Sequence, residues 1–318
     1  MSVTKKMYDK ELRRYYFPMK VMASLLTRKW TINLLNSLIK LSKGKSINGL
    51  DCKERLIPSK NNGPDIRIRI FKPKNADTNL PGMLYLHGGG YMMGIPENAL
   101  DAIKGFIENR PCIIVAPDYR KSIKNPYPDG FNDCYDTLLW MKENASLLGI
   151  VSDKFIIAGH SAGGGLTAAV TLKVRDTKDV NIAFQMPIYP MIDHLQNTES
   201  AKKMNSVPAW NAKTNKVGWS YYLKNIEGTI PIYASPVMNT DYKNMPPTIT
   251  FVGDLEPFKD ETINYVESLR RENIPVNFKL FKGAFHAFES LAKNTTIGKK
   301  ANEFQFQSFA EYYDKYML

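Results

Sequence analysis

Cysteine is scarce in this chain of 318 residues, and Cys52, Cys112 and Cys134 form no C-x-x-C pair. An odd, widely spaced trio argues against a disulfide scaffold and against a cysteine-rich zinc site. Histidine is nearly as scarce, at four residues, few enough to weigh one at a time. Long apolar runs are missing as well. Residues 21–26 are followed by Arg28 and Lys29, and residues 30–39 are broken by Thr31, Asn33, Asn36 and Ser37. Neither approaches the roughly 20 apolar residues of a membrane-spanning helix, and the first is too short for a secretory core. A soluble, cytoplasmic protein is the expectation, and no residue cluster calls for a metal or a cofactor.

Acids are outnumbered: 43 Lys and Arg against 31 Asp and Glu leave a net charge of +12. The excess is local. Residues 1–50 hold eleven Lys or Arg against Asp9 and Glu11, which is +9, so the other 268 residues carry +3. Such a segment suits an anionic partner, while no nucleic-acid module accompanies it. With 43% hydrophobic residues, 15 Phe and 17 Tyr, the chain can bury a core of one large α/β domain or two small ones.

Over residues 17–41 the apolar positions Met22, Leu26, Trp30, Leu34, Leu38 and Leu41 recur at helical spacing, which predicts an amphipathic helix or helix pair. Residues 66–70 alternate Ile and Arg, as an antiparallel strand with one wet face does. Short apolar runs at 83–86, 113–116, 155–158, 182–189, 247–252 and 276–281 then alternate with amphipathic stretches near 98–109, 131–148, 162–175, 260–272 and 301–316. That rhythm predicts a mostly parallel sheet covered on both faces. Residues 191–245, rich in Trp and Tyr, have no clean period and are too long for a simple connection. An insertion there would sit above the carboxyl edge of the sheet, where ligands bind.

The strongest chemical signal is Gly159-His160-Ser161-Ala162-Gly163, a G-x-S-x-G between a buried strand and a helical stretch. A Ser at such a turn is strained, exposed and set at a helix N-terminus. A glycine-rich helix start has the same letters, but the flanking strand and helix weigh against it. His87-Gly88-Gly89-Gly90 follows directly on residues 83–86. Its backbone N–H groups, with that of Ala162 after the Ser, can donate to a developing oxyanion. A tight turn or a phosphate cradle is the alternative; a dinucleotide fingerprint fails at Met93.

His87 belongs to the glycine loop, His160 to the serine turn, and His194 to the irregular insertion. His286, in a loop after the last expected strand, is left as the general base. The acid that orients it is expected after residues 248–252, where Asp254, Glu256 and Asp260 all satisfy the order Ser, acid, His.

These blocks resemble the hormone-sensitive-lipase-like branch of the α/β hydrolases, a carboxylesterase family, over most of the chain. The glycine loop is similar to its oxyanion loop. The serine turn resembles its nucleophile elbow, with His160 where Asp is more usual. Pro117-Asp118-Tyr119-Arg120, followed by Pro126-Tyr127-Pro128 and Asp133, resembles a further family block. The family pattern D-P-x-x-D-E aligns with Glu256-Pro257-Phe258-Lys259-Asp260-Glu261, so the resemblance puts the acid on Glu256, with Asp254 as runner-up. It also implies a cap made of residues 1–50 and 191–245 over a catalytic core of 51–190 and 246–318. Tyr15, Tyr16, Phe17, Trp210, Trp219, Tyr221 and Tyr222 are candidates to line its pocket.

The expected function is a serine carboxylesterase acting on short- to medium-chain esters. The short end is favoured because no long apolar surface stretch is evident. Ser161, His286 and Glu256 would act as triad, with Gly88, Gly89 and Ala162 as oxyanion hole. An amidase or peptidase using the same triad, or a non-catalytic small-molecule-binding protein on the same fold, are the alternatives. A small-molecule ester is the expected partner, nucleic acid is not, and residues 1–45 are candidates for a weak anionic-surface contact. A homo-oligomer is left open.

Overall fold

An eight-stranded sheet organises the chain, in the order β1-β2-β4-β3-β5-β6-β7-β8. The computed structural model describes residues 3–61, 63–74 and 79–317. The strands are β1 (Leu50–Ile57), β2 (Ile66–Pro73), β3 (Leu80–Leu86), β4 (Ile113–Pro117), β5 (Ile150–His160), β6 (Ile182–Ile188), β7 (Thr248–Gly253) and β8 (Val276–Phe281). β2 runs antiparallel to both its neighbours, and all other pairs among β3 to β8 are parallel. This is the α/β arrangement that the alternation of runs predicts.

The helices are α1 (Tyr16–Leu25), α2 (Lys29–Ile39), α3 (Leu100–Asn109), α4 (Asp129–Glu143), α5 (Ala145–Leu148) and α6 (Ala162–Thr177). They continue with α7 (Glu199–Lys203), α8 (Ala212–Tyr222), α9 (Lys259–Arg271), α10 (Phe288–Leu291) and α11 (Thr296–Tyr316). Successive strand residues point to opposite faces, so a continuous apolar run feeds two cores at once. Leu84, Leu86, Ile113, Val115, Phe155 and Ile157 pack with α4 and α6 on one face. Met83, Tyr85, Ile114, Ala116, Ile156 and Ala158 pack with α3 and α11 on the other.

Two differences from the sequence reading have physical causes. β1, Leu-Asp-Cys-Lys-Glu-Arg-Leu-Ile, has no counterpart among the expected strands: it is an edge strand, half or fully exposed over most of its length, so no apolar alternation marks it. The expected helix pair forms as α1 and α2, but α2 turns Thr31 and Ile32 inward and leaves Trp30, Leu34 and Leu38 on the outside, with Leu41 beyond them. The apolar row that predicted the helix is the row it exposes.

The N-terminal segment and residues 191–245 meet above the carboxyl ends of the strands. The Ala209 N–H donates to the Met19 carbonyl at 3.1 Å, and Asn36 Nδ2 donates to the Met92 carbonyl at 3.0 Å. α7 is fastened to the start of α9, where the Ser200 N–H donates to Asp260 Oδ2 at 2.6 Å and the Asp260 N–H donates to Ser200 Oγ at 3.0 Å. Among the described residues no helix is long and apolar enough to cross a membrane.

Candidate active site

β5 ends at His160 and α6 begins at Ala162, so Ser161 alone makes the turn, with φ 59° and ψ −120°. A non-glycine residue keeps such a conformation only where its surroundings impose it. Three hydrogen bonds do so: the Ser161 N–H to the Ile188 carbonyl at 3.0 Å, and the Gly165 and Met191 N–H groups to the Ser161 carbonyl at 2.9 and 3.1 Å. The turn is also too tight for side chains two residues to either side of the Ser. A Cβ on Gly163 would lie 2.0 Å from the Leu86 carbonyl oxygen, and one on Gly159 would lie 2.4 Å from that of Gly163.

The loop after β3 is pressed against this turn. His87 is stacked on Tyr119 with centroids 4.2 Å apart, its Nδ1 is 2.8 Å from the Gly88 carbonyl, and the Tyr119 hydroxyl donates to the His87 carbonyl at 2.8 Å. Burial lowers the His87 imidazole to about 3, so it is neutral and shapes the loop. Gly89 has φ +127°, and the Met92 and Met93 N–H groups turn back to its carbonyl. Behind the loop, Arg120 forks onto buried Asp133, and Arg67 and Arg69 converge on Glu97. The block from Pro117 to Asp133 meets the loop through Tyr119 on His87 and through the Ser122 N–H, which donates to the Tyr91 carbonyl at 2.9 Å.

His286, in the loop after β8, turns Nε2 to 2.8 Å from Ser161 Oγ. Its Nδ1 faces Glu256 Oε2 in a short hydrogen bond, and Glu256 Oε1 accepts from the Gly253 N–H at 3.0 Å. All three side chains are buried, Glu256 completely. The other candidate acids are engaged elsewhere. Asp254 accepts from the Gly283 N–H at 2.7 Å, which ties two loops together, and burial raises its carboxyl above the usual range. Asp260 serves the Ser200 clasp. His194 bonds Ser235 Oγ at 2.8 Å inside the insertion.

Ser161, His286, Gly88 and Gly89 line a cavity of about 550 Å³ that runs beneath α1 and α2. Met22, Leu26 and Ile39 contribute from the N-terminal segment and Trp210 from the insertion. Trp210 is the one pocket candidate among the seven aromatics that reaches this wall. Trp219 and Tyr222 pack around Tyr91 instead, and Phe17 is exposed.

Two polar clusters on the same wall have no signature in the sequence. The first is a one-way chain: Gln305 Nε2 donates to Asn302 Oδ1 at 2.8 Å, leaving Gln305 Oε1 to accept from His160 Nε2 at 3.0 Å. His160 Nδ1 then accepts from the Tyr85 hydroxyl at 2.9 Å, and burial lowers the imidazole to about 4, which keeps it neutral. The second is Glu289, whose carboxyl accepts from the Tyr189 hydroxyl and is pushed up to about 7 by burial. Partners 145 residues apart, like His160 and Gln305, leave no local spacing to read.

A family model described as α/β hydrolase fold matches residues 83–290. An arylesterase of Saccharolobus solfataricus is 28% identical over 227 residues, 70% of this chain and 73% of the relative. The carboxylesterase NlhH of Mycobacterium tuberculosis is 26% identical, with 72% of each chain covered. Among solved structures, a bacterial heroin esterase superposes with a TM-score of 0.86 at 27% identity, covering 98% of this chain and 99% of its own. The motifs, the strand order and these similarities converge: the chain belongs to the α/β-hydrolase fold family, in its hormone-sensitive-lipase-like carboxylesterase branch.

Proposed function

We propose that this protein is a serine carboxylesterase that hydrolyses short- to medium-chain esters through an acyl-enzyme. The observation that carries the reading is the continuous contact from Ser161 Oγ through His286 to Glu256 at the wall of the cavity. Ser161 Oγ attacks the ester carbonyl as His286 Nε2 takes its proton. Glu256 accepts from Nδ1–H, which fixes the tautomer and stabilises the imidazolium. The carbonyl oxygen, now negative, is held by the N–H groups of Gly88, Gly89 and Ala162, each donor being worth roughly 10²–10³ in kcat. Collapse breaks the ester C–O bond, and His286 Nε2–H protonates the departing alcohol. A water, deprotonated by the same imidazole, then attacks the acyl carbon and releases the carboxylic acid.

Residues 1–50 and 191–245 act as the cap over a catalytic core of 51–190 and 246–318, and bound the space left for acyl and alcohol groups. A cavity of about 550 Å³ suits a small-molecule ester of modest size. The relatives named above, all esterases, support the same class. The test is Ser161→Ala on p-nitrophenyl acetate and butyrate, with fluorophosphonate labelling alongside. Hydrolysis and labelling are both expected to vanish while the circular dichroism spectrum is unchanged. Turnover that survives in a folded variant refutes the nucleophile. Matched anilides, expected to be cleaved far more slowly, read the preference for esters.

A further inference from the structure

Eight of the thirteen exposed large apolar side chains among the described residues lie between Met7 and Leu41. They are ordered. Phe17, Val21 and Leu25 repeat at every fourth residue of α1; Trp30, Leu34 and Leu38 do so on α2, with Leu41 beyond. Each set makes one helical face. Phe17 is 74% exposed, Trp30 61% and Leu41 81%. A contiguous apolar face of this kind on a folded chain marks a surface that something covers.

The charges of the same segment point to the cover. Lys5, Lys6, Lys10, Arg14, Arg28, Lys29, Lys40 and Lys45 are all exposed, as is Lys43, which pairs with Asp118 at 3.1 Å. Of the two acids in the segment, Glu11 is committed to the N–H and hydroxyl of Thr296 at 2.8 Å each. A symmetric pairing of two such faces would set like charge against like. An anionic bilayer offers both what the cations and what the apolar rows require, and Trp is the side chain most at home at its boundary. The same two helices, with Leu26 just past the end of α1, turn Met22, Leu26 and Ile39 toward the Ser161 cavity.

We propose that α1 and α2 dock this protein onto anionic lipid bilayers, and that lipophilic esters dissolved in the bilayer reach Ser161 past Met22, Leu26 and Ile39. The proposal rests on the serine-esterase reading for its second half. It names a substrate class that the sequence, with no long apolar surface stretch in view, does not suggest. The exposed rows supply that surface.

The test co-sediments the full chain with phosphatidylcholine vesicles and with vesicles containing roughly one third phosphatidylserine, at low and high salt. The expected result is at least tenfold tighter binding to the anionic vesicles, weakened by salt, with a blue shift in Trp30 emission that Trp30→Phe removes. Leu34→Ser with Leu38→Ser, both at exposed positions, should lower vesicle binding about tenfold or more. It should slow hydrolysis of a vesicle-embedded medium-chain p-nitrophenyl ester to match, and leave soluble p-nitrophenyl butyrate unchanged. Equal binding to both vesicle types, or binding indifferent to the two Leu substitutions, overturns the docking proposal. So does a dimer that buries Trp30 and stays intact beside vesicles. A wild type that binds vesicles yet fails to hydrolyse butyrate refutes the esterase reading instead, so the two failures are distinguishable.

Discussion

Replacing Glu256 with Gln probes the least accessible part of the proposed machinery. Its carboxylate has both oxygens engaged, Oε2 with His286 Nδ1 and Oε1 with the Gly253 N–H, and no exposed surface. A Gln amide has one oxygen for two donors. If the oxygen faces Gly253, the NH₂ group faces His286 and forces Nδ1 to accept, which moves the imidazole proton to Nε2. The ring then donates to Ser161 and cannot take its proton. If the amide is flipped, its NH₂ meets the Gly253 N–H and a buried donor is left without a partner, at about 1–3 kcal/mol. The first arrangement holds the wrong tautomer, for which a loss of about 10⁴ in kcat is the precedent in serine enzymes, roughly 5 kcal/mol of transition-state stabilisation. Asp254→Asn is the matched control. Asp254 accepts one N–H from Gly283 at 2.7 Å, and an Asn oxygen can still accept it. Activity should stay within about fivefold, the net worth of one ordinary hydrogen bond. The assay is steady-state hydrolysis of p-nitrophenyl butyrate, with thermal unfolding to establish that both variants are folded. A folded Glu256→Gln enzyme that loses less than Asp254→Asn refutes the assignment.

Two further outcomes follow from the packing and titration of the site. Gly163→Ala drives a Cβ to 2.0 Å from the Leu86 carbonyl oxygen, a backbone atom that cannot swing aside as a flexible side chain would. Overpacking of this kind costs about 1–3 kcal/mol and displaces the oxyanion loop from the elbow, so kcat should fall about 10²-fold or more with a lowered Tm. A variant that matches wild type in both would contradict the close approach. Glu289, raised from 4.5 to about 7 by burial, holds a proton in the folded state that the unfolded chain has released. Its contribution is present below pH 4.5, declines through the window from 4.5 to 7 and is lost above it, by up to roughly 3 kcal/mol. Glu289→Gln should therefore gain stability over wild type in urea as the pH rises from 5 to 8. A difference that does not change with pH would show that the carboxyl titrates normally.

The parts of this molecule legible in its sequence are those whose physics is local. β3, β4 and the second half of β5, residues 155–159, announce themselves because strands buried on both faces leave little room for polar residues. The elbow is legible because Gly159 and Gly163 have no alternative at such short approaches. His286 can be reached by elimination because histidines are few. The choice among Asp254, Glu256 and Asp260 lies beyond local reasoning, since all three follow β7 within one short stretch, Asp260 already in the first turn of α9, and differ in which neighbour each meets. A family resemblance points to Glu256, and its carboxylate is the one that meets His286. β1 is hidden by its edge position, and the Tyr85–His160–Gln305 chain by sequence distance. α2 misleads in an instructive way. Helical periodicity finds the apolar row but is silent on whether protein, solvent or something else lies against it.

The backbone of Ser161 has a consequence for how the chain can change over evolutionary time. At φ 59° and ψ −120° a side chain costs on the order of 1–3 kcal/mol that glycine would not. The residue that most defines the proposed chemistry is thus one the scaffold tolerates rather than favours, held by the hydrogen bonds from Gly165 and Met191 and to Ile188. A descendant freed from selection for turnover could relax toward Gly at this point and become more stable while keeping every strand and helix. In such a lineage thermal robustness and catalytic competence would drift in opposite directions. Retention of the eight-stranded sheet would then say nothing about retention of activity, whereas a single non-glycine residue kept at a positive φ would say a great deal.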